Sequence, residues 1–424
     1  MTDFRMSTPL TQSCILTINC GSSSIKFALF EASSLRRIIE GKIERIGHSE
    51  ARFVVRDASA AETFSNQVVI TDHAMAVALL IGWCQEHLDP DILTAIVHRI
   101  VHGGPDYWQT QRITPNMVAE LRGLARFNPM HLPAELMMIE AFQNANPELD
   151  QFACFDTAFH HDMPDVAKLL PIPRRYQAQG IRRYGFHGLS YAYLLHELER
   201  LAGVEAASGR IILAHLGNGA SMAAVRGKRP MDTSMGLTPA AGLVMSTRSG
   251  DLDPGLFSFL ADSEHMTATQ FNHMVNHESG LLGLSESSAD MHDLLALSAE
   301  DFRASDAVAL FCYQAKKCIG AYAAAVGGLD TVVFSGGIGE NSAEIRARIC
   351  DGLEFLGVKL DTALNVANAA VISSSQSKVE IRVIPTDEEW MMAHNVCEVL
   401  NPITKKESHD EKYEPKIGDP RPAA

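Results

Sequence analysis

The sequence contains no pair of cysteines spaced as CxxC, although it has eight cysteines, most of them inside apolar runs. Cysteines in that setting are typical of reduced core residues, and they argue against both a disulfide framework and a zinc site. No apolar run is long enough to cross a bilayer. Residues 1–12 are polar and lack the apolar centre of a signal peptide. We therefore expect a cytoplasmic protein with no membrane partner.

Positive charge is also scarce, since 36 lysines and arginines stand against 51 aspartates and glutamates, for a formal net charge of −15. Such a surface argues against nucleic acid and anionic membranes as partners. An anionic ligand would need positive charge concentrated locally, so arginines inside glycine-rich or apolar stretches are informative. The 424 residues, 46% apolar and 21% charged, predict a globular protein of two ordinary domains.

Residues 15–30, ILTINCGSSSIKFALF, predict a β-hairpin with a polar tip. At the tip, Gly21 lets the backbone approach a ligand, and the serines that follow it supply hydroxyl and N–H donors. Lys26 adds a cation from the returning strand, and Asn19 could hold a metal-bound water. The tip is thus a candidate phosphate site, although a plain hairpin turn has the same composition.

Two later stretches repeat this pattern. Residues 211–225, IILAHLGNGASMAAV, predict a second hairpin, and residues 331–342, TVVFSGGIGENS, predict a strand that runs through glycines into a helix beginning near Glu340. Similar hairpins in two halves of a chain suggest a duplicated domain that closes on one ligand from opposite sides. Actin, sugar kinases and heat-shock chaperone ATPases share that plan.

Charged side chains at the ends of buried runs are the next candidates. Arg99 precedes the turn at 102–105, and an arginine there usually marks an anion site, with a structural ion pair as the alternative. Asp156 ends the apolar run that begins at residue 151, where a carboxylate is costly unless it binds a metal, a base or a proton. The neighbouring His160 and His161 also allow a zinc site, but consecutive side chains point in different directions.

Two segments rich in glycine and small residues complete the set of candidates. His187 lies between glycines just before a predicted helix, which favours a ligand contact over a surface loop. Residues 231–255 predict a long loop carrying Arg248, and long loops in compact domains tend to be functional. We predict a single helical region over 261–288 and a long helix from 301 to 325. Residues 387–400 predict a closing helix with an acidic first turn, and residues 404–424 predict a disordered tail.

Nine runs, taken together and in order, resemble the acetate kinase family, including its propionate kinase branch. They are INCGSSSIKF, HRIVHGG, FDTAFH, RYGFHG, HLGNGAS, MDTSMGLTP, TRSGDLDPG, FSGGIGENS and TDEE, and they span residues 18–389. The resemblance implies an α/β fold of two duplicated, actin-like domains with a central cleft. It places the first domain at 13–155 plus 388–403 and the second, nucleotide-binding domain at 156–387. It also implies transfer of a phosphoryl group from ATP to acetate or propionate with Mg²⁺, and a homodimer.

The resemblance assigns a role to each residue that stands at a family motif. The metal site is Asn19 with Glu388, or with Glu389 in its place. The implied catalytic residues are Arg99, Asp156, His187 and Arg248. The substrate contacts are Arg99, Val101, Phe186 and Pro239. The nucleotide contacts, which include Lys26 from the hairpin argument, are Lys26, Asn218, Gly219, Asp301, Phe302, Arg303, Gly337, Ile338, Gly339 and Asn341.

The chain departs from the family pattern at four places. Arg126 stands where the family has an acyl-pocket leucine and Phe127 where it has a histidine, while Ala241 and Ser246 replace the usual glutamate and glycine. We expect these changes to leave the fold and the ATP site untouched and to affect acyl preference and turnover. His131, four residues after Phe127, could supply the missing donor, and Arg126 is the alternative.

Two rival functions remain open at this point. One is an ATP-driven conformational switch without carboxylate phosphorylation, and the other is a metal-dependent hydrolase that uses His160 and His161. Arg99 and Arg248 separate the first rival from a carboxylate kinase, because a switch that only hydrolyses ATP needs no arginine pair for a second anion.

Overall fold

The structure is a computed structural model, and it describes residues 12–21, 23–48, 50–57, 62–126 and 131–401. The strands are β1 (Cys14–Cys20), β2 (Ser24–Glu31), β3 (Arg37–Glu44), β4 (Ala51–Asp57), β5 (Glu62–Val68), β6 (Leu93–Ile100), β7 (Gln111–Arg112), β8 (Gln151–Phe155), β9 (Arg210–Leu216), β10 (Ala220–Arg226), β11 (Arg229–Thr233), β12 (Thr331–Ser335) and β13 (Glu380–Val383). The helices are α1 (His73–His87), α2 (Pro115–Gly123), α3 (Leu132–Ala145), α4 (Asp165–Lys168), α5 (Arg174–Gln177), α6 (Gly188–Ala207), α7 (Gly255–Glu264), α8 (Ala268–His273), α9 (Gly280–Ser285), α10 (Met291–Leu297), α11 (Phe302–Val326), α12 (Gly336–Asn341), α13 (Ala343–Cys350), α14 (Thr362–Val366) and α15 (Glu388–Leu400). Phe127 and the predicted tail at 404–424 lie outside the described residues.

The first sheet has the strand order β5-β4-β3-β2-β1-β6-β8-β7. Strands β1 to β5 form an antiparallel meander, whereas β1, β6 and β8 run parallel. The predicted first hairpin is confirmed, and its register places Asn19 directly opposite Lys26 beside the tip. The hairpin therefore presents an amide and an ammonium group at the same end of the sheet at which β6 and β8 end.

The second sheet, in the order β11-β10-β9-β12-β13, repeats this plan. The predicted hairpin of β9 and β10 is confirmed, and β12 and β13 continue the sheet parallel to β9. In each sheet the first strand of the hairpin has its antiparallel partner on one side and a parallel strand on the other side. The turns and strand ends that the sequence predicts as phosphate sites in one half therefore have counterparts in the other half.

Apolar helices cover the sheets. The closing helix α15 buries Met392 and Ala393 against Ile15 and Val97 of the first sheet. The long helix α11 buries Phe311 and Ile319 in the largest core cluster, which contains residues of both sheets. Among the described helices none is long and apolar enough to span a membrane.

Several predicted elements differ from the structure. The predicted helix over 261–288 is wrong as a single element, because α7, α8, a π-helical turn at Met274–Glu278 and α9 divide it. The capping box of Thr267 starts α8, and Gly280, at φ +63°, breaks the chain before α9. The predicted loop at 231–255 begins too early, since its first three residues complete β11. Strand β5 was not predicted, because its sequence ETFSNQV is mostly polar.

The glycine segment after β12 also begins its helix earlier than predicted. Helix α12 starts at Gly336 and not at Glu340. Gly336 has φ +75°, and a Cβ atom there would lie 2.7 Å from the carbonyl oxygen of Leu216. Only glycine fits this approach, which brings the start of α12 against the end of β9.

A buried arginine holds the end of α12. The Arg346 side chain is fully buried and donates to the carbonyl oxygens of Gly339 (2.9 Å), Glu340 (3.0 Å) and Asn365 (2.9 Å). Its Nε also donates to Asn365 Oδ1 at 2.8 Å. These acceptors are neutral, so the guanidinium does not form an ion pair through them. It acts as a clamp, because it holds the backbone at the end of the glycine segment in place.

We predict that Arg346→Met lowers the free energy of unfolding by about 3 kcal/mol or more, because it leaves buried carbonyl groups without donors. Chemical denaturation measures this loss. Arg348→Met is the control, since Arg348 lies on the same helix but is exposed and pairs only with Glu344. Equal losses in the two variants would contradict the clamp.

Candidate active site

A cavity of about 820 Å³ opens between the ends of the two sheets. The first half of the chain contributes the hairpin tip, the end of β6 and the start of α3. The second half contributes the β9–β10 turn, α10 and α12. The lining residues are Asn19, Gly21, Ser23, Ser24, Lys26, Arg99, His131, His187, His215, Gly217, Asn218, Gly219, Asp290, Met291, His292, Leu295, Gly336, Gly337, Ile338, Glu340, Asn341, Ser342, Thr386, Glu388 and Glu389.

Asp156 connects the two sides of this cavity. It follows β8 directly, and its side chain is fully buried. Its Oδ2 accepts from Nη2 of Arg99 at 2.8 Å and from the backbone N–H of His187 at 2.8 Å. The carboxylate therefore fixes an arginine of the first sheet and the first turn of α6 with one oxygen atom, and its Oδ1 has no hydrogen-bond partner.

His187 is held in a defined orientation. Its backbone is left-handed, with φ +58°, and its ring stacks on that of His215 with the centroids 4.3 Å apart. Nδ1 lies 2.8 Å from the hydroxyl of Ser221. Burial, followed by the charges of nearby groups, holds the pKa of His187 well below its usual value. The imidazole is consequently neutral at pH 7 and keeps one N–H to donate.

Arg248, on the long loop, lies close to His187. Its Nη1 donates to the carbonyl oxygen of Pro239 at 2.7 Å. A Cβ atom on Gly219 would lie 2.7 Å from Nη2 of Arg248 and 3.1 Å from Nε2 of His187, so both groups press against this glycine. Burial and the neighbouring Arg99 lower the pKa of Arg248 to about 10. Among the described residues no carboxylate forms an ion pair with Arg248, which leaves its charge for an anionic ligand.

The predicted metal residues lie together at the start of α15. Asn19 Nδ2 donates to Glu388 at 3.0 Å and to Glu389 at 3.5 Å. Burial raises the pKa of both carboxyl groups, so a cation that offsets their charge would be favoured. No cluster of three or more His, Cys, Asp or Glu within the described ranges could hold a metal alone. This set fits Mg²⁺, which keeps most of its waters and binds one or two carboxylates together with phosphate oxygens.

Most of the predicted nucleotide contacts line the cavity, namely Lys26, Asn218, Gly219, Gly337, Ile338 and Asn341. Gly339 is buried behind them, where its carbonyl oxygen accepts from Arg346. Asp301, Phe302 and Arg303 are not among the lining residues. Asp301 caps α11 by accepting from the Arg303 N–H, and Arg303 pairs with Glu286. Their contact with a nucleotide stays a prediction.

One departure from the family pattern contacts a residue that lines the cavity. Ser246 N–H donates to the carbonyl oxygen of Asn218 at 3.2 Å, and the Ser246 hydroxyl donates to Asn218 Oδ1 at 3.3 Å. A glycine at 246 could keep only the backbone contact. The expectation that this departure leaves the ATP site untouched stays a prediction.

The predicted acyl contacts Val101, Phe186 and Pro239 are not among the lining residues of the cavity. Val101 and Phe186 are buried in the largest core cluster, and Pro239 is tied to Arg248 through its carbonyl group. His160 Nε2 donates to the carbonyl oxygen of Phe186 at 3.0 Å, and His161 stacks on Trp108. The two histidines thus make separate structural contacts, and a shared metal site finds no support in the described part of the chain.

Sequence reasoning missed three groups in or beneath the cavity. His215 lines it beside His187, hydrogen-bonded to Ser190 at 2.8 Å. Asp290 and His292 lie at the start of α10 and line the cavity as well. Glu135, on α3, is buried beneath Arg99, with its Oε1 3.6 Å from Nη1. Only His215 had a visible signal, because it lies in the repeated hairpin motif, whereas the others are ordinary helix residues in the sequence.

Comparison with known proteins places the chain in a family. Residues 14–394 match the Acetokinase family. The chain belongs to this family. An acetate kinase of Rhodopseudomonas palustris (strain TIE-1) is 44% identical over 388 residues, which cover 90% of this chain and 97% of that protein. A propionate kinase of Citrobacter rodentium is 40% identical, with 91% and 96% coverage.

Solved structures of Acetokinase family members have the same fold. The acetate kinase of Porphyromonas gingivalis aligns with a TM-score of 0.82 at 35% identity, covering 92% of this chain and 100% of that one. A propionate kinase from Francisella tularensis aligns with a TM-score of 0.85 at 35% identity, covering 91% and 99%. The prediction of a duplicated, actin-like α/β fold is confirmed, and the chain is a kinase.

Arg99 and Arg248 differ in their surroundings, and we therefore expect their alanine variants to differ in stability. Arg248→Ala should slow turnover by about 3 kcal/mol in activation free energy or more without lowering Tm, because Arg248 has no carboxylate partner to abandon. Arg99→Ala should be equally slow and also less stable by about 3–5 kcal/mol, because it leaves buried carboxylates unpaired. Steady-state kinetics and thermal unfolding measure both effects.

Arg200→Ala is the control for this pair, since Arg200 is exposed and pairs with Glu197 on the outside of α6. It should change neither turnover nor Tm. Near-normal activity in either active-site variant would show that the arginine does not contact the reacting groups.

Proposed function

We propose that this chain transfers the γ-phosphoryl group of ATP reversibly to acetate, with propionate as the alternative acceptor. The observation that carries the proposal is that Arg248 and His187 both lie beside Gly219, while Arg99 and His187 are both hydrogen-bonded to Asp156, at a cavity lined by turns of both sheets. The 44% identity to an acetate kinase and the 40% identity to a propionate kinase support this acceptor class. The hydroxamate assay described below decides between acetate and propionate.

The chemistry explains why these residue types meet. A carboxylate and a triphosphate repel each other, and in-line phosphoryl transfer requires mainly positioning and charge neutralisation. Arg248 and Arg99 supply fixed positive charge near His187, whose neutral ring adds a donor. Asp156 holds two of these groups in place, so the donors are organised before the substrate arrives.

Magnesium would be held by Asn19 and Glu388, with Glu389 beside them. The ion would offset charge on the nucleotide phosphates. Lys26, which lies opposite Asn19 across the hairpin, adds a second positive charge on the same side of the cavity. The raised pKa values of the two carboxyl groups support a cation here.

The decisive experiment is hydroxamate trapping of acyl phosphate from ATP with acetate, propionate or butyrate, beside a reaction without acid. We expect product with acetate or propionate and none in the control without acid. ATP hydrolysis that proceeds without acyl phosphate would support the conformational switch and overturn the proposal.

We further propose that His131 donates a hydrogen bond at this site. His131 is the residue before α3, and it lines the cavity with Arg99 and His187. Burial and the charges of Arg99 and Arg248 lower its pKa to about 4. A neutral ring there can take the place of the donor that Phe127 lacks. The Arg126 side chain and all of Phe127 lie outside the described residues.

His131→Ala should therefore slow turnover by about 2.7–4 kcal/mol, the usual loss for one transition-state donor, whereas Arg126→Ala should not. Because the pKa of His131 is low, the difference between parent and His131→Ala should stay constant from about pH 6 to 9. Steady-state kinetics of both variants and of Phe127→His test this. A silent His131→Ala together with a faster Phe127→His would mean that nothing compensates for Phe127.

We also propose a cytoplasmic homodimer with domains at 13–155 plus 388–403 and at 156–387. All eight cysteines are free, which suits a reducing compartment. None of the residues of α7 is buried, although Phe259 on it is large and 66% exposed, and Leu252 just before it is 44% exposed. A second copy that covers this surface would remove an apolar patch from water.

Phe259→Glu should convert the dimer to a monomer in sedimentation velocity, because a charge at an apolar interface is costly to desolvate. Phe355→Glu is the matched control, since Phe355 is 77% exposed on a separate turn at Glu354–Leu356. Dimers in both variants would exclude α7 from the interface.

A further inference from the structure

Glu135 is a buried carboxylate with two contacts that both lead to the active site. It lies in the first turn of α3 and is 1% exposed. Its Oε2 accepts from the backbone N–H of Val101 at 3.0 Å. Its Oε1 lies 3.6 Å from Nη1 of Arg99. The Glu135 side chain therefore connects α3 to Arg99 and Val101, the two functional positions at the end of β6.

The contacts of Arg99 show what this arrangement does. Its Nη2 donates to Asp156 and its Nη1 faces Glu135, so each terminal nitrogen has its own carboxylate on a different element. A guanidinium held at one nitrogen can rotate about that contact. The Glu135 carboxylate, at an ion-pair distance of 3.6 Å from Nη1, attracts the other terminal nitrogen and opposes this rotation.

The site keeps this carboxylate at an energetic disadvantage. Burial raises the pKa of Glu135 to about 8, even though Arg99 and the Val101 N–H lower it. The titratable groups that face it from other elements are Arg99 on β6, Asp156 after β8 and Cys20 on β1. The position in the first helical turn favours a negative charge only modestly. Packing alone would be served better by an apolar residue.

We propose that Glu135 is a positioning residue for phosphoryl transfer, which holds the Arg99 guanidinium and the Val101 backbone at the substrate end of β6. This inference rests on the proposed function, in which Arg99 grips the reacting anion and Val101 lines the acyl group. The ionised carboxylate acts on Arg99, and its oxygen acts on Val101 in either protonation state.

The first test is Glu135→Gln, which keeps the volume and an acceptor for Val101 but removes the charge. At about pH 9, where Glu135 is mostly ionised, we expect kcat to fall about tenfold, as for a small misplacement of a catalytic group, with the KM for ATP and Tm little changed. Glu140→Gln is the matched control, since Glu140 is an exposed residue of the same helix that pairs with Arg122. It should behave like the parent.

The pH profile separates positioning from a structural role. Glu135 ionises as the pH rises through about 8, so the ratio of kcat between parent and Glu135→Gln should grow from about pH 6.5 to about pH 9.5. A constant ratio, or a variant that becomes the faster enzyme at high pH, would overturn the inference. The inference would also be overturned if Glu135→Gln lost thermal stability and ATP affinity to the same degree as it lost kcat.

A second variant, Glu135→Leu, removes both contacts, and hydrogen exchange at the Val101 amide reports on it without any activity. We expect faster exchange at this amide in Glu135→Leu and unchanged exchange in Glu135→Gln. Unaltered exchange in Glu135→Leu would overturn the inference even if the enzyme is active. A parent that forms no acyl phosphate while Val101 exchange responds would instead refute the proposed function.

Discussion

The organisation of the cleft depends on the buried carboxylate of Asp156. A charged group with no solvent exposure is tolerable only when its partners come to it, and here those partners are the Arg99 guanidinium and the His187 backbone N–H. One partner belongs to the first sheet and the other begins a helix that packs on the second sheet. The need to satisfy one oxygen atom therefore sets the relative placement of the two functional side chains across the cavity.

The sequence predicted those parts of the site that depend on local backbone chemistry. Hairpin tips with glycine and small polar residues are recognisable because few other sequences adopt them, and both predicted hairpins are present. Asp156 and Arg99 were recognisable for a related reason, since charges at the ends of apolar strands are costly without a partner. The same logic explains why the glycine segment was identified although its helix starts earlier, at Gly336.

The parts that were missed depend on tertiary contacts. Glu135 looks like an ordinary residue of an amphipathic helix, and only the packing of α3 against β6 places it below Arg99. His131 was proposed from a gap in a motif, but its position in the cavity depends on where α3 begins. The region 261–288 was misjudged for another reason. Its composition favours helix throughout, whereas the breaks come from the Thr267 cap and from Gly280 pressed against the backbone of Met245.

The unpaired charge of Arg248 links the ligand to the lifetime of the protein. A partly buried cation that has no carboxylate partner among the described residues destabilises the empty fold, and an anion bound beside it offsets this cost only while it is present. Ligand binding then adds to the unfolding free energy, by about 2.7 kcal/mol when the ligand is at a hundred times its Kd. In a cell, the fraction of molecules open to proteolysis would rise as the supply of substrate falls. The abundance of this enzyme would thereby follow the supply of its substrate without a dedicated regulator.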